Sequence, residues 1–287
     1  MKRKTQTSQR RIAARCKDLR RILEALEGAG ALLESAARKA LTIERKHNGD
    51  PVTTAEHAVN QFLFRRLVGK GEGWLSEETR DDRERLSKSR VWIVDPVDGT
   101  KEFISGIPEW CVSIGLVEEG KAVAGGIYNP ATKELFLGSL ETNLTAGGNR
   151  GAKRAARNGA VVLASRSEVG RGEWKRFGDA PFKIRPVGSV AYKLALVAAG
   201  HAEATWTLVP KNEWDVAAGV ALVLAAEGSV WTPSGAPLLF NRPHPLFDGL
   251  VAASKRGKRR LRGLLPGVAV WANPSTPKAR TPSTRAK

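Results

Sequence analysis

Two aspartates three residues apart, Asp95 and Asp98, end a short apolar run in the string Val91-Trp92-Ile93-Val94-Asp95-Pro96-Val97-Asp98-Gly99-Thr100. A buried strand would carry both into a turn that Pro96 stiffens and Gly99 closes. The two carboxylates can then converge on one point, with the Val97 carbonyl facing it too. Oxygen-only, acid-rich ligation suits a hard cation such as Mg²⁺, which takes one or two carboxylates and completes its shell with water. The N–H groups of Gly99 and Thr100, at a helix start, can hold a phosphate beside such a cation. An isolated pair of this kind is better read as a strand running into an Asp-Gly turn; the full Asp-Pro-x-Asp-Gly-Thr string has the more specific use.

Three other acidic segments could serve the same chemistry. Glu77 and Glu78 follow the apolar Trp74-Leu75 and precede a polar stretch, where a surface acidic turn would look the same. Asp215 stands at the start of a helix in Glu213-Trp214-Asp215-Val216-Ala217-Ala218-Gly219. An ordinary N-cap explains it, and an N-cap carboxylate can also reach a cation. Glu56, in Val52-Thr53-Thr54-Ala55-Glu56, lies on a helical first turn, where the helix dipole alone favours an acid.

The elements that would position these groups follow from periodicity. Leu19, Ile22, Leu23, Leu26, Leu32 and Leu33 predict an amphipathic helix from Ile12 to about Leu41, weakened in its middle by Gly28 and Gly30. His47 to Pro51 break it, and Thr53 or Thr54 caps a second helix to about Val68. Residues 79–90 read as an exposed polar loop. Trp110 to Val117 and Ala122 to Tyr128 flank a hairpin turn at 118–121, and Leu135–Leu137 reads as another strand. After a Gly- and Arg-rich connection at 146–158, a strand at 161–164 and helices near 189–199 and from Asp215 to about Ala226 alternate as in an α/β half.

Composition sets bounds on the whole. The 287 residues are 41% hydrophobic and 26% charged, which is ordinary globular usage. No run approaches the ~20 apolar residues that span a bilayer. The N-terminus has no apolar core for a secretory signal; it reads as a basic tail, with an organellar transit peptide as the alternative. Cys16 and Cys111 form no CxxC pair, which points to neither a disulfide framework nor a cysteine metal site and suits a cytoplasmic location. The net charge of +18 resides at the ends: nine Lys/Arg against one acid in residues 1–21, and ten against none in 252–287. Residues 22–251 hold 28 of each sign, so a basic nucleic-acid-reading face on the body is not expected. The ends themselves could contact polyanions.

In this order, the four acidic segments resemble the inositol monophosphatase superfamily. The likeness lies in the acidic pair Ser76-Glu77-Glu78, the WxxDPxDGT string from Trp92 to Thr100 and the WDxAAG string from Trp214 to Gly219. Asn129-Pro130, Ser165-Arg166-Ser167 and Gly188-Ser189 are further landmarks, and the resemblance spans roughly residues 18–250. It implies a layered αβαβα sandwich of α/β class, with an N-terminal α+β half over 18–150 and a C-terminal α/β half over 151–252. Basic tails over 1–17 and 253–287, the latter disordered, complete the expected organisation. It implies a phosphomonoesterase using two or three Mg²⁺ ions, Li⁺-sensitive and often dimeric, acting on a small phosphorylated substrate. By motif position Glu77, Asp95, Val97 (carbonyl), Asp98 and Asp215 would be metal ligands. Thr100 and Glu56 would activate water together with Asp98, while Gly99, Thr100, Lys101, Glu77 and Asp215 would meet substrate. Most relatives have Asp where this chain has Glu56.

Two features make the chain most like the 3'(2'),5'-bisphosphate nucleotidase (CysQ-like) branch. The turn continues Gly99-Thr100-Lys101-Glu102-Phe103-Ile104, as in that branch, where inositol monophosphatases usually carry Asn in place of Glu102. The acid that contacts inositol in the monophosphatases falls on Leu208, or on Thr207 with a different gap. Lys101, Arg166 and Lys193 are candidate cations for a second phosphate. An inositol monophosphatase, or a related sugar or histidinol phosphate phosphatase, is the alternative. A binding protein with polyanion-gripping tails and a vestigial core is disfavoured, because converging carboxylates repel one another without a cation.

Overall fold

The computed structural model describes residues 2–37, 43–45, 51–148, 159–207, 209–261 and 263–264. Helix α1 (Lys2–Ala37) and helix α2 (Thr54–Leu67), the latter preceded by the short pair β1 (Ile43–Arg45) and β2 (Pro51–Thr53), form one outer layer. Beneath them lies a six-stranded sheet of β3 (Gly73–Ser76), β4 (Arg90–Asp98), β5 (Cys111–Glu118), β6 (Lys121–Asn129), β7 (Glu134–Ser139) and β8 (Thr145–Gly147), in that order. Strands β3 and β4 are parallel and the rest form an antiparallel meander.

Successive residues of β4 point to opposite faces. Trp92 and Val94 pack with Ile22, Leu26 and Leu63 of the outer helices, while Val91 and Ile93 face the other way. There they meet helices α5 (Val190–Ala198) and α6 (Glu213–Ala225), which form the middle layer. A second sheet covers the far side of those helices. It comprises β9 (Ala160–Ser165), β10 (Phe182–Val187), β11 (Ala204–Thr207), β13 (Ser229–Trp231) and β15 (Leu250–Ala253), in the order β10-β9-β11-β15-β13. The two-residue strands β12 (Lys211–Asn212) and β14 (Leu246–Phe247) pair separately, and α3 (Thr100–Ile104) follows β4 directly. Helix α4 (Arg166–Gly170) packs on β9 and β10, and α7 (Lys255–Arg260) on β15, at the outside of the second sheet. The layers therefore run αβαβα, as expected.

Three local expectations are corrected. Residues 2–17 are helical, continuous with the rest of α1, and the segment is tied to the body at Arg11 and Arg15. Arg15 is buried and pairs with Glu118 at 2.8 Å, Glu141 at 2.9 Å and Asp18 at 3.0 Å. Acids more than a hundred residues away neutralise charge that a segment count assigned to solvent. Within the 79–90 loop Arg85 is buried, held by Asp81 at 2.8 Å, by Asn241 at 2.8 Å and by the Arg242 carbonyl at 3.0 Å. At the other end, α7 follows β15, Leu261 is buried, and Gly257 lies so close to β11 that a Cβ there would fall 1.9 Å from the Glu203 carbonyl oxygen. The chain past 253 thus begins as structure. The polar break at 47–50, most of the 146–158 connection and residues 265–287 lie outside the described residues.

Helix α1 also runs through Gly28 and Gly30, because each admits a neighbour. A Cβ would sit 2.3 Å from Phe62 of α2 at the first and 2.4 Å from Tyr128 of β6 at the second. Close packing outweighs the ~1 kcal/mol helix cost of each glycine.

Candidate active site

Register places the acids. In the parallel pair β3–β4, Ser76 stands opposite Val94, so the next residues, Glu77 just past β3 and Asp95 still within β4, stand side by side. Across β4–β5 the pairing shifts between Asp95, opposite Ser113, and Asp98, opposite Cys111. Three residues span what two span on β5, a bulge at Pro96-Val97 of the kind that re-aims side chains. Gly99 follows with φ +97°, a left-handed conformation open to glycine, and turns the chain into α3.

Asp215 enters from the other half. It is the third residue of α6, not its N-cap; Asn212 occupies the cap, and the Asn212 N–H donates to Asp215 Oδ2 at 2.9 Å. Carboxylate oxygens of Glu77, Asp95 and Asp215 lie within 4.8 Å of one another. Burial, then repulsion from Glu77, Asp98 and Asp215, pushes the Asp95 carboxyl well above the usual carboxylate range. Burial, followed by repulsion from Asp98 and Glu77, pushes Asp215 up to about 8. Carboxylates so placed carry their full charge at neutral pH only with a cation among them, and an all-oxygen, acid-rich donor set fits Mg²⁺.

Asp98 stands outside that trio. Its Oδ2 accepts hydrogen bonds from Ser189 Oγ and from the Ala191 N–H on the first turn of α5, both at 2.6 Å. Ser189, at φ +49°, is one of the few non-glycine residues in the left-handed region. The bonds to Asp98, together with Lys193 Nζ donating to the Ser189 carbonyl at 2.9 Å, hold it there. The halves of the molecule are thereby joined at the site.

Glu56 sits one layer below. Thr53 is the N-cap of α2 and Glu56 its third residue, and the two form a capping box. Glu56 Oε2 accepts from the Thr53 N–H, and Oε1 accepts from Thr100 Oγ1 at 2.7 Å. The Val97 carbonyl lies 3.2 Å from the same hydroxyl. Burial raises the Glu56 carboxyl above its ordinary value, against the hydrogen bonds from Thr100 and Thr53.

Glu77, Asp95, Val97, Asp98, Gly99, Thr100, Lys101 and Asp215 all line one cleft of ≈ 290 Å³ between the two sheets' helices and loops. Arg166 and Lys193 line it too, and Glu56 reaches it through Thr100. Sequence reasoning missed Lys211 and the use of Ser189 to brace Asp98. Gly188-Ser189 was visible as a landmark, whereas nothing local distinguishes Lys211. Leu208 lies outside the described residues, and its alternative Thr207 is committed to the buried Glu168.

The chain is similar to known proteins in sequence and in fold. The family model described as "Inositol monophosphatase family" matches residues 18–265. Among curated proteins, "Inositol monophosphatase 3" of Solanum lycopersicum is 33% identical over 228 residues, 74% of this chain and 85% of that protein. "Inositol-1-monophosphatase" of Caulobacter vibrioides is 35% identical over 205 residues, 67% and 79% respectively. Among solved structures, CysQ from Bacteroides thetaiotaomicron superposes with TM-score 0.71 at 27% identity, covering 84% of this chain and 98% of that one. The extragenic suppressor protein SuhB from Bartonella henselae gives 0.66 at 28% identity, covering 85% and 97%.

Proposed function

Because the chain belongs to the inositol monophosphatase family, we propose that it is a Mg²⁺-dependent phosphomonoesterase that removes the 3'-phosphate of adenosine 3',5'-bisphosphate, giving AMP and phosphate. The observation that carries the substrate reading is the charge layout of the cleft. Glu77, Asp95, Asp98 and Asp215 line it together with four cations, Lys101, Arg166, Lys193 and Lys211, of which Lys211 interacts with Asp215 and Lys193 with Asp98. Such a cleft suits a ligand with one phosphate at the acids, through cations, and a second anionic group beyond them.

Glu77, Asp95, Asp215, Asp98 and the Val97 carbonyl would hold two or three Mg²⁺ ions. Bound there, they would supply charge neutralisation of the phosphoryl oxygens and a lowered pKa for the attacking water. The chain's own residues do the rest. Gly99 and Thr100 present N–H groups to the phosphate at the start of α3, beside Lys101. The Thr100 hydroxyl donates to Glu56, which leaves its lone pairs to accept a hydrogen bond from water. When that water attacks phosphorus, the bond to the 3'-oxygen breaks, the water's proton passes to Thr100 Oγ1 as the Thr100 proton moves to Glu56, and the departing 3'-oxygen takes a proton from solvent. Burial suits Glu56 to this task by raising its affinity for the proton.

A second reading, hydrolysis of inositol 1-phosphate, is favoured by the names of the curated relatives at 33–35% identity. We further read the enzyme as cytoplasmic and Li⁺-sensitive, with a homodimer as its oligomeric state and basic ends that contact polyanions. No described helix is long and apolar enough to cross a membrane. The deciding experiment compares kcat/KM for adenosine 3',5'-bisphosphate, inositol 1-phosphate, histidinol phosphate and fructose 1,6-bisphosphate with Mg²⁺, then repeats it in millimolar Li⁺. A preference for inositol 1-phosphate of tenfold or more replaces the nucleotidase reading with the second one.

A further inference from the structure

Of the four cations lining the cleft, three already have a side-chain or backbone partner, although the buried Arg166 Nε has none among the described residues. Arg166 pairs with Glu109, whose carboxylate also accepts the Gly188 N–H at 2.8 Å. Lys193 is buried and donates to the carbonyls of Val187 and Ser189 at 3.3 and 2.9 Å, so it braces the turn before α5. Lys101 also has partners of its own. The side chain of Lys211, half-buried on β12 four residues ahead of Asp215, makes no hydrogen bond or ion pair among the described residues. It interacts electrostatically with Asp215, which attracts it, and with Lys193, which repels it. Once a cation engages Asp215, that attraction is spent, and Lys211 and Lys193 are left as like charges sharing one wall. Partly desolvated like charges are unfavourable until an anion joins them.

We propose that Lys211 is the specificity-determining residue for the second phosphate of a nucleoside 3',5'-bisphosphate, an inference that rests on the nucleotidase reading above. The scissile phosphate is provided for by the acids and by Gly99 and Thr100, so this unpartnered ammonium is available to a group elsewhere on the substrate. Binding energy from such a remote phosphate raises kcat/KM for the bisphosphate over its monophosphate counterpart. A charge-assisted hydrogen bond is worth on the order of ten- to a hundredfold in affinity.

The test uses the full chain with Mg²⁺ and reads one ratio, kcat/KM for adenosine 3',5'-bisphosphate over that for adenosine 3'-monophosphate. Both substrates are measured on each enzyme preparation, so partial misfolding cancels. Wild type should give a ratio of tenfold or more. Lys211→Met should lower it by about ten- to a hundredfold, chiefly through KM, and Lys211→Arg should restore most of it. Raising the salt should shrink the wild-type ratio and leave that of Lys211→Met nearly flat. A high wild-type ratio that survives Lys211→Met overturns this inference alone. So does a Lys211→Met variant altered only in its Mg²⁺ requirement, which would make Lys211 a counter-ion for Asp215. A wild-type ratio near one removes the nucleotidase reading, and this inference with it.

Discussion

Replacing Glu56 separates its two jobs by size of effect. Glu56→Ala removes the Thr53 N–H acceptor and the Thr100 acceptor at 2.7 Å. A lost cap costs ~0.5–2 kcal/mol, and a hydrogen bond to a charged group contributes ~1.5–3 kcal/mol. Relief of burying the carboxylate offsets part of that sum, since burial is the largest influence on its raised proton affinity. A net loss of about 1–2 kcal/mol is expected, or a Tm lowered by roughly 2–8 °C. If Glu56 takes the proton relayed by Thr100, kcat falls by ~10²–10⁴ at saturating Mg²⁺, well beyond what that destabilisation produces in a folded enzyme. Glu56→Gln keeps the length and the cap acceptor, so it should recover most of the Tm and little of the kcat. Glu56→Asp keeps the charge and should be the most active of the three. Steady-state kinetics and thermal melts on the same preparations decide the matter. An Ala or Gln variant within threefold of wild-type kcat refutes the relay.

The remaining expectations follow from the same geometry. Asp95→Asn and Asp98→Asn should each abolish turnover while leaving a cooperative melt, and each should weaken the Tm increase that Mg²⁺ gives wild type; near-normal activity at low Mg²⁺ would remove that residue from the ligand set. Folded-state pKa values above the unfolded carboxylate range stabilise the protonated form, and that stability is lost as pH rises through the folded value. With Asp215 at about 8 and Asp95 also raised, the EDTA-treated protein should lose Tm from pH 5 to pH 8, and the gain from Mg²⁺ should grow over that window. Burial opposes ionisation of Glu72, yet hydrogen bonds from Arg21 and Trp92 pull it down to about 2, so it is ionised throughout and does not mask the trend. A metal-free Tm that climbs across pH 5–8 would contradict the acid cluster. Removing residues 266–287 should leave kcat for a small phosphate ester within about twofold and weaken salt-dependent retention on heparin, because charge-driven contacts with polyanions scale with the cations removed. Removing 255–287 should instead lower stability by at least ~1.5–3 kcal/mol, the scale of unburying Leu261 alone; equal melts for the two truncations would show that α7 is dispensable.

What could be read from the chain was local, and what could not was pairing at a distance. Asp95 and Asp98, with Pro96 and Gly99 between and after them, announce a strand ending in a turn, and the hairpin at 118–121 is fixed by a Gly-containing turn between two apolar runs. The proximity of Glu77 to Asp95 depends on the β3–β4 register, which no ten-residue window contains. Charge shows the same divide. A count by segment places Arg15 in a tail, but Glu118 and Glu141 lie over a hundred residues away and draw it into the body. Arg85 is hidden likewise by Asn241 and the Arg242 carbonyl, on the opposite half of the chain. The site obeys this rule most strongly, because its two halves are stitched there. Asp98 from the end of β4 receives the Ser189 hydroxyl and the Ala191 N–H from α5, and Asp215 from α6 completes the acids. The acidic strings mark which carboxylates are available, while the fold decides which of them cluster, as Glu77, Asp95 and Asp215 do, and which, like Asp98 Oδ2, hold the two halves in register.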